Sequence, residues 1–289
     1  MANPNTRGAF LMMGSMAAFT INDTFVKVAG GHVPLFQLIF LRGILTSLLV
    51  FWLARHLGKL QYNLPRRDWG LIGLRAFAEV GATTFFLTAL MNMPLANVTA
   101  VLQVLPLTVT LGAALFFREA VGWRRMLAIL VGFVGMLLIV RPGPDGFSLH
   151  AIYALLAVGF VTLRDLTTRR MSAEVPSLMV TLTAAVSVTV FGGLASTQTE
   201  WVAVDLHLAG LIASASVFIL LGYLCSVMVM RVGEVSFVAP FRYTSLLWAL
   251  ILGWLVFGHL PDGVTLFGAA IVVASGLFTF YRERQKAGG

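Results

Sequence analysis

Seven ionisable side chains stand inside long apolar runs of this chain: Asp23, Arg42, Arg75, Glu79, Arg164, Asp165 and Arg242. A charge held away from water costs several kcal/mol unless it is paired or hydrated. Groups placed this way hold a polar cargo, relay a proton or lock helices together as ion pairs. Arg75 and Glu79 are four residues apart, share a helical face and can neutralise each other. Arg164 and Asp165 are neighbours, and neighbours on a helix point about 100° apart. That predicts separate partners for them, with Arg164 reaching toward an aqueous side. Tyr243 and Trp248, five apart in one run, can stack on a flat or cationic ligand or simply pack. Pro240 lies in the same run, where a proline frees a backbone carbonyl and bends the helix, which makes it a hinge candidate.

Other chemistries lack their residues. There is no GxxxxGK[ST] phosphate loop, because of Lys27, Lys59 and Lys286 only Lys59 follows a glycine, and Leu60 comes after it. No HExxH is present, and His32, His56, His150, His207 and His259 fall at or beyond the ends of apolar runs. They offer no buried zinc or haem site and no deep base to activate a serine. Cys225 is the single cysteine, so an internal disulfide and a thiolate metal cluster are both excluded. No metal and no cofactor is expected.

The elements that carry these charges must be membrane helices. The 289 residues are 58% hydrophobic and 11% charged, with a mean hydropathy of +0.90, whereas soluble domains carry about 25% charged residues. The apolar residues come in continuous blocks, without the alternation of a transmembrane β-barrel. A large soluble catalytic domain is ruled out. The net charge of +8 sits between the blocks and orients them in a bilayer, so no nucleic-acid partner is expected. The first block contains Asp23, has only Met1 to Arg7 before it and lacks a small-residue cleavage site after it; it is expected to persist as a span.

Apolar runs and their breakers predict ten helices, from Gly8 to Ala29, Pro34 to Arg55, Trp69 to Met93, Leu95 to Phe117, Trp123 to Val140, Leu149 to Met171, Pro176 to Thr197, His207 to Met230, Ser236 to Phe257 and Gly263 to Tyr281. On one side fall Arg7, Arg55, Lys59, Arg66, Arg67, Arg118, Arg124, Arg125, Arg169, Arg170, Arg231, Arg282, Arg284 and Lys286; on the other, Lys27 and Arg141. The positive-inside rule then puts both termini in the cytoplasm. Trp52, Trp69 and Trp123 at span ends read as an interfacial belt. Small residues at Ala128, Gly132 and Gly135, and at Ala270 and Ala274, allow close helix packing. A homodimer seam carries no separate signal, so a monomer and a homodimer both remain open.

The chain also repeats. A shift of 142 sets Asp23 on Asp165, Lys27 on Arg169 and Pro34 on Pro176, and a shift of 140 sets Gly70-Leu71-Ile72 on Gly210-Leu211-Ile212, Ala96 on Ser236 and Val98 on Val238. Residues 8–140 and 149–281 are then two units of five helices. An odd number forces the units to enter the membrane in opposite directions, as an inverted repeat. The fold class expected is an all-α integral membrane protein with ten transmembrane helices arranged as two five-helix inverted repeats.

From about Gly8 to Arg282 the chain resembles the EamA-type carriers of the drug/metabolite transporter superfamily. The resemblance rests on Asn22-Asp23 with Lys27, Arg42, Leu74-Arg75, Pro106 followed by Glu119, Gly132 and Gly135, then Asp165, Ala239-Pro240-Phe241-Arg242-Tyr243 and Leu260-Pro261-Asp262. The last two pieces look most like the branch of S-adenosylmethionine and riboflavin uptake carriers. His259 departs from the pattern, standing where an acidic counterpart of Glu119 is expected.

The resemblance implies a secondary transporter of the cell inner membrane that moves a small organic metabolite by alternating access, with membrane lipid around it and a proton or sodium ion as possible coupling ion. An exporter of amino acids or toxic metabolites is the alternative within the class. An intramembrane enzyme acting on lipid is the alternative outside it. Counting residues from span ends puts Asp23 level with Arg42 toward the outside, and Asp165 level with Arg242 and Arg75 toward the inside. Two gating clusters are expected, Asp23 with Arg42 and Asp165 with Arg242 and Arg75. Glu79 lies between them as a substrate or proton ligand.

Overall fold

The computed structural model describes residues 4–56, 64–118, 122–141, 148–172, 174–232 and 235–287. Lys59, Glu119 and Asp145 lie outside them, as do the side chains of Arg231, Arg282, Arg284 and Lys286. Among the described residues, ten helices are long and apolar enough to cross a membrane: α1 (Thr6–Gly30), α2 (Leu35–His56), α3 (Arg66–Asn92), α4 (Leu95–Phe117), α5 (Trp123–Val140), α6 (Leu149–Arg170), α7 (Ser177–Ser196), α8 (Leu206–Ser226), α9 (Ala239–Phe257) and α10 (Gly263–Tyr281). No strand occurs among the described residues. The predicted spans match these within a few residues, because backbone polar groups in lipid must be satisfied inside the segment, which leaves the helix as the available form for a continuous apolar run.

Large apolar side chains point outward and polar ones inward. Phe10, Leu48, Phe77, Phe116 and Trp254 are exposed, whereas Ser15, Asn22, Gln37, Arg42 and Gln103 are buried. Trp52, Trp69 and Trp123 are exposed at span ends, as the belt expectation requires.

Every major helix contact joins the first half of the chain to the second: α1 lies along α8, α3 along α6, α2 along α7 and α5 along α10. Small residues permit the last two. A Cβ on Gly43 would meet Thr189 Oγ1 at 2.5 Å, and one on Gly135 would meet the Gly268 carbonyl at 2.8 Å. Gly132 faces Leu107 and Ser275. Ala270 and Ala274 are exposed, which corrects the expected packing stripe of α10: the contact face is Gly268, Ala269, Val272 and Ser275, one residue out of register with it.

Two helices are broken in mid-course. In α4 a turn at Gln103 and Val104 precedes Pro106, whose ring lacks an N–H and excludes the carbonyl four residues earlier. In α9 the first residues, Ala239–Tyr243, form a 3-10 helix with Pro240 in its first turn, where a missing N–H costs little. The breaks meet, with Gln103 Nε2 donating to Ser245 Oγ at 2.8 Å.

Helix ends are tied by specific groups. Lys27 Nζ donates to the carbonyls of Leu90 (2.5 Å) and Met93 (2.8 Å), capping the negative end of α3. Gln37, fully buried, makes a two-point clamp on Val202, accepting from its N–H at 3.0 Å and donating to its carbonyl at 2.7 Å. Asp68 accepts from Ser172 N (3.2 Å) and Ser172 Oγ (2.8 Å). Asp262 caps α10, accepting from Thr265 N at 2.9 Å, and pairs with Arg141 at 2.5 Å.

Candidate functional site

A cavity of about 60 Å³ lies between α2, α3, α7 and α8. Arg42, Gly43 and Thr46 line it from α2, Arg75, Glu79 and Thr83 from α3, Thr181, Ala184, Ala185 and Val188 from α7, and Ile219 and Tyr223 from α8. A buried apolar cluster that includes Val26, Leu38, Ile39, Leu87 and Leu90 adjoins it through Val188, which belongs to both. A larger depression, about 420 Å³, runs along the outer face of α3 and α7 between Trp69, Phe77 and Phe191. It is lined by apolar side chains with only Thr183 and Ser187 polar, and carries no charge. The smaller cavity is therefore the one equipped to hold a polar molecule.

Its charges come from two clusters. In the first, Asn22 stands between the two residues expected to pair. Arg42 Nη1 donates to Asn22 Oδ1 at 3.1 Å, and Asn22 Nδ2 donates to Asp23 Oδ1 at 2.9 Å. Asp23 and Arg42 are brought together, through an amide that carries no charge and gave no signal in the sequence beyond its place beside Asp23. Thr20 and Thr24 flank it, each with its hydroxyl donated to a carbonyl one turn back, which satisfies them without a partner on another helix.

In the second cluster Glu79 is shared by two arginines. Arg164 Nη1 lies 3.4 Å from Glu79 Oε1, and Arg75 Nη1 lies 3.5 Å from Glu79 Oε2. Arg164 Nε also donates to Asp165 Oδ1 at 2.9 Å, and Arg75 Nε donates to Thr168 Oγ1 at 3.1 Å. Two expectations are corrected here. Arg164 does not reach to the aqueous side, and adjacency does not separate it from Asp165: its long arm curls back so that one guanidinium serves Asp165 and Glu79 together. Asp165 accordingly takes Arg164 as partner, and Arg242, expected beside it, is exposed.

Tyr243 and Trp248 do not reach the cavity lining. Tyr243 is buried against Phe280, at 6.4 Å between ring centroids. The Tyr243 hydroxyl and Trp248 Nε1 are buried without a hydrogen-bond partner. The aromatic that does line the cavity is Tyr223, with Phe19 edge-on to it at 5.4 Å. A lone tyrosine in an otherwise apolar run was its signal. Thr46, Thr83 and Thr181 could not be told from ordinary threonines before their helices were assembled. Among the described residues no group of three or more His, Cys, Asp or Glu could hold a metal ion.

Ten apolar helices around a buried charged cavity define a multi-pass membrane protein built to accommodate a small polar molecule within the bilayer, and its relatives are transporters. Residues 6–141 match the model of the EamA-like transporter family. It is 29% identical to a riboflavin transporter of Vibrio cholerae, over 97% of this chain and 95% of the relative. It is 25% identical to an S-adenosylmethionine uptake transporter of Rickettsia prowazekii, over 94% and 91%, and 24% identical to a pseudopaline exporter of Pseudomonas aeruginosa, over 93% and 94%. A protein of known crystal structure shares the fold, with a TM-score of 0.67 at 16% identity over 98% of this chain and 99% of that one. Small-molecule transport is thus this chain's function, in contact with membrane lipid.

Proposed function

We propose that the chain is a secondary carrier of the inner membrane with both termini cytoplasmic. It moves a small organic metabolite by alternating access between two inverted five-helix repeats, 8–140 and 149–281, and has no enzymatic activity. The observation that carries this reading is the charged cavity between helices of both halves, with Arg42, Arg75 and Glu79 in its wall. The helix pairing supports the repeat. Exchanging the halves turns the α1–α8 contact into α6–α3 and leaves α2–α7 and α5–α10 unchanged. Two hydrogen-bonded pairs, Ser47 with Thr189 and Gln103 with Ser245, are each 142 residues apart, the shift that aligns the halves. The buried apolar cluster around Val26 and Leu90, near the expected outer ends of α1 and α3, supports a state closed on the outer side. Asp23 with Arg42 then gates the outer path, Arg164 with Asp165 and Glu79 gates the inner one, and Pro240 is the hinge. The chain acts as a monomer or a homodimer. A proton or sodium ion is the candidate coupling ion.

An S-adenosylmethionine uptake carrier and a riboflavin transporter among the relatives support import of an S-adenosylmethionine- or riboflavin-like nutrient; the exporter relative supports the reverse direction as second reading. The test is flux of labelled compounds into and out of proteoliposomes, with chemical recovery of the unchanged compound. Orientation is checked with single cysteines at Arg67 and Asp205 in a Cys225→Ser background. An impermeant thiol reagent added to intact cells should label position 205 and spare position 67; the opposite pattern overturns the orientation.

A further inference from the structure

We infer that the cavity reads a zwitterionic head, an ammonium and a carboxylate held close together as in an α-amino acid, through Arg75 and Glu79. The inference rests on the carrier reading above. Arg75 Nη1 and Glu79 Oε2 are buried, face each other at 3.5 Å and take part in no hydrogen bond. Of their other atoms, Arg75 Nε donates to Thr168 and Glu79 Oε1 accepts from Arg164. Both side chains are thereby held in place, with one cationic donor and one anionic acceptor left side by side at the cavity wall. Buried polar atoms without partners cost free energy. A ligand of a single charge sign would satisfy one and leave the other stranded, and a site of this kind rejects such analogues strongly. An α-amino acid head satisfies both, its carboxylate accepting from Nη1 and its ammonium donating to Oε2.

Charge balance points the same way. The two clusters bring Asp23, Glu79 and Asp165 against Arg42, Arg75 and Arg164, a neutral set. A zwitterionic head leaves it neutral, whereas a free anion or cation would have to be offset by another ion. The cavity's aromatic surface is one ring, Tyr223, which offers no pair of faces to sandwich a fused ring system.

The experiment uses the full-length protein in lipid nanodiscs and in proteoliposomes. The probes are S-adenosylmethionine and the standard amino acids, their decarboxylated amines, their N-acetylated acids, and riboflavin. At least one compound with an intact amino acid head should raise Tm and be carried, and its amine and N-acetyl counterparts should each bind at least tenfold more weakly. Arg75→Gln should abolish the preference over the amine, and Glu79→Gln the preference over the N-acetyl acid. The analogue comparison on wild-type protein decides the matter even where a variant fails to fold. Equal binding of a counterpart that lacks one charge, or carriage of riboflavin with no zwitterion carried, would overturn the inference and leave the carrier reading standing. Flux of none of these compounds would count against both.

Discussion

The two charged clusters are built from the same kinds of residue and differ in how the charges meet. Around α3 and α6 the contact is direct, one guanidinium on two carboxylates and a second guanidinium close behind. Around α1 and α2 it passes through Asn22, so that a neutral amide separates acid from base. Direct pairing in a poorly solvated place makes each partner depend on the other, and removing one leaves a buried charge with nothing to offset it. An amide relay is softer, because Asn22 donates to one side, accepts from the other, and can turn to water when the helices part. If the clusters are gates, the α1–α2 side is the one whose opening costs less, and the α3–α6 side holds the structure together as well as closing it.

The largest effect should therefore follow Glu79→Gln, which leaves Arg75 and Arg164 facing a neutral group. We expect transport in proteoliposomes to fall at least a hundredfold, with a loss of stability on the order of 3 kcal/mol seen as a lower Tm in nanodiscs. Near-normal Tm together with normal transport would erase the difference between the clusters. Arg164→Gln should come close behind, since it strands Asp165 and half of Glu79.

The relay predicts a weaker and differently shared coupling. In a double-mutant cycle of Asp23→Asn and Arg42→Gln, the interaction energy should be about 0.5–1 kcal/mol, against 1.5 kcal/mol or more for Glu79→Gln with Arg164→Gln. Asn22→Ala alone should impair transport as much as Asp23→Asn, because it cuts both hydrogen bonds at once. Strictly additive losses at Asp23 and Arg42, combined with a silent Asn22→Ala, would show that the relay has no role.

The ten spans were legible because lipid tolerates little besides long apolar helices, and the charges Asp23, Arg42, Arg75, Glu79 and Asp165 were legible because each is costly where it stands. Partner choice was not, since it depends on how far a side chain reaches after its helix has been docked. Arg164 illustrates this: spacing on a helical wheel separates it from Asp165, and a flexible arm rejoins them. Asn22 and Tyr223 escaped for another reason. Neither carries a charge, so neither has a desolvation cost large enough to betray it in a sequence. Arg242 was misplaced because depth along a span gives level without direction, and the tightened start of α9 leaves its side chain exposed.

A smaller effect is expected at the break in α9. Pro240→Ala restores an N–H and lets the 3-10 turn relax toward an α-helix. The fold should survive with Tm unchanged or slightly raised, while uptake slows several-fold as that end stiffens. Wild-type uptake rates in the variant would remove the hinge. Equal slowing of entry and exit would sharpen it, since a hinge serves both gates.

The smallest effect belongs to the pair outside the spans, and it calibrates the rest. Arg141 and Asp262 meet at 2.5 Å with their side chains 44% and 55% exposed, whereas those of Arg75 and Glu79 are 13% and 14% exposed. Exposed pairs add little to stability and weaken with salt. The Asp262 carboxyl is held below the usual carboxylate range, chiefly by the hydrogen bond from the Thr265 N–H, with the Arg141 guanidinium adding to it. A carboxyl lowered in the folded state contributes stability that is full above its unfolded value, near 4, and is lost as pH falls through the folded value. Asp262→Asn keeps a side chain that can cap α10 but removes the charge. Its Tm should lie only slightly below that of the wild type at pH 7, and the gap should close as pH drops from 5 toward 3, or as salt is raised at pH 7. A gap as large as that of Glu79→Gln, or one that widens on acidification, would mean that depth in the membrane does not set the worth of these ion pairs, and the contrast between relay and direct pairing would lose its physical basis.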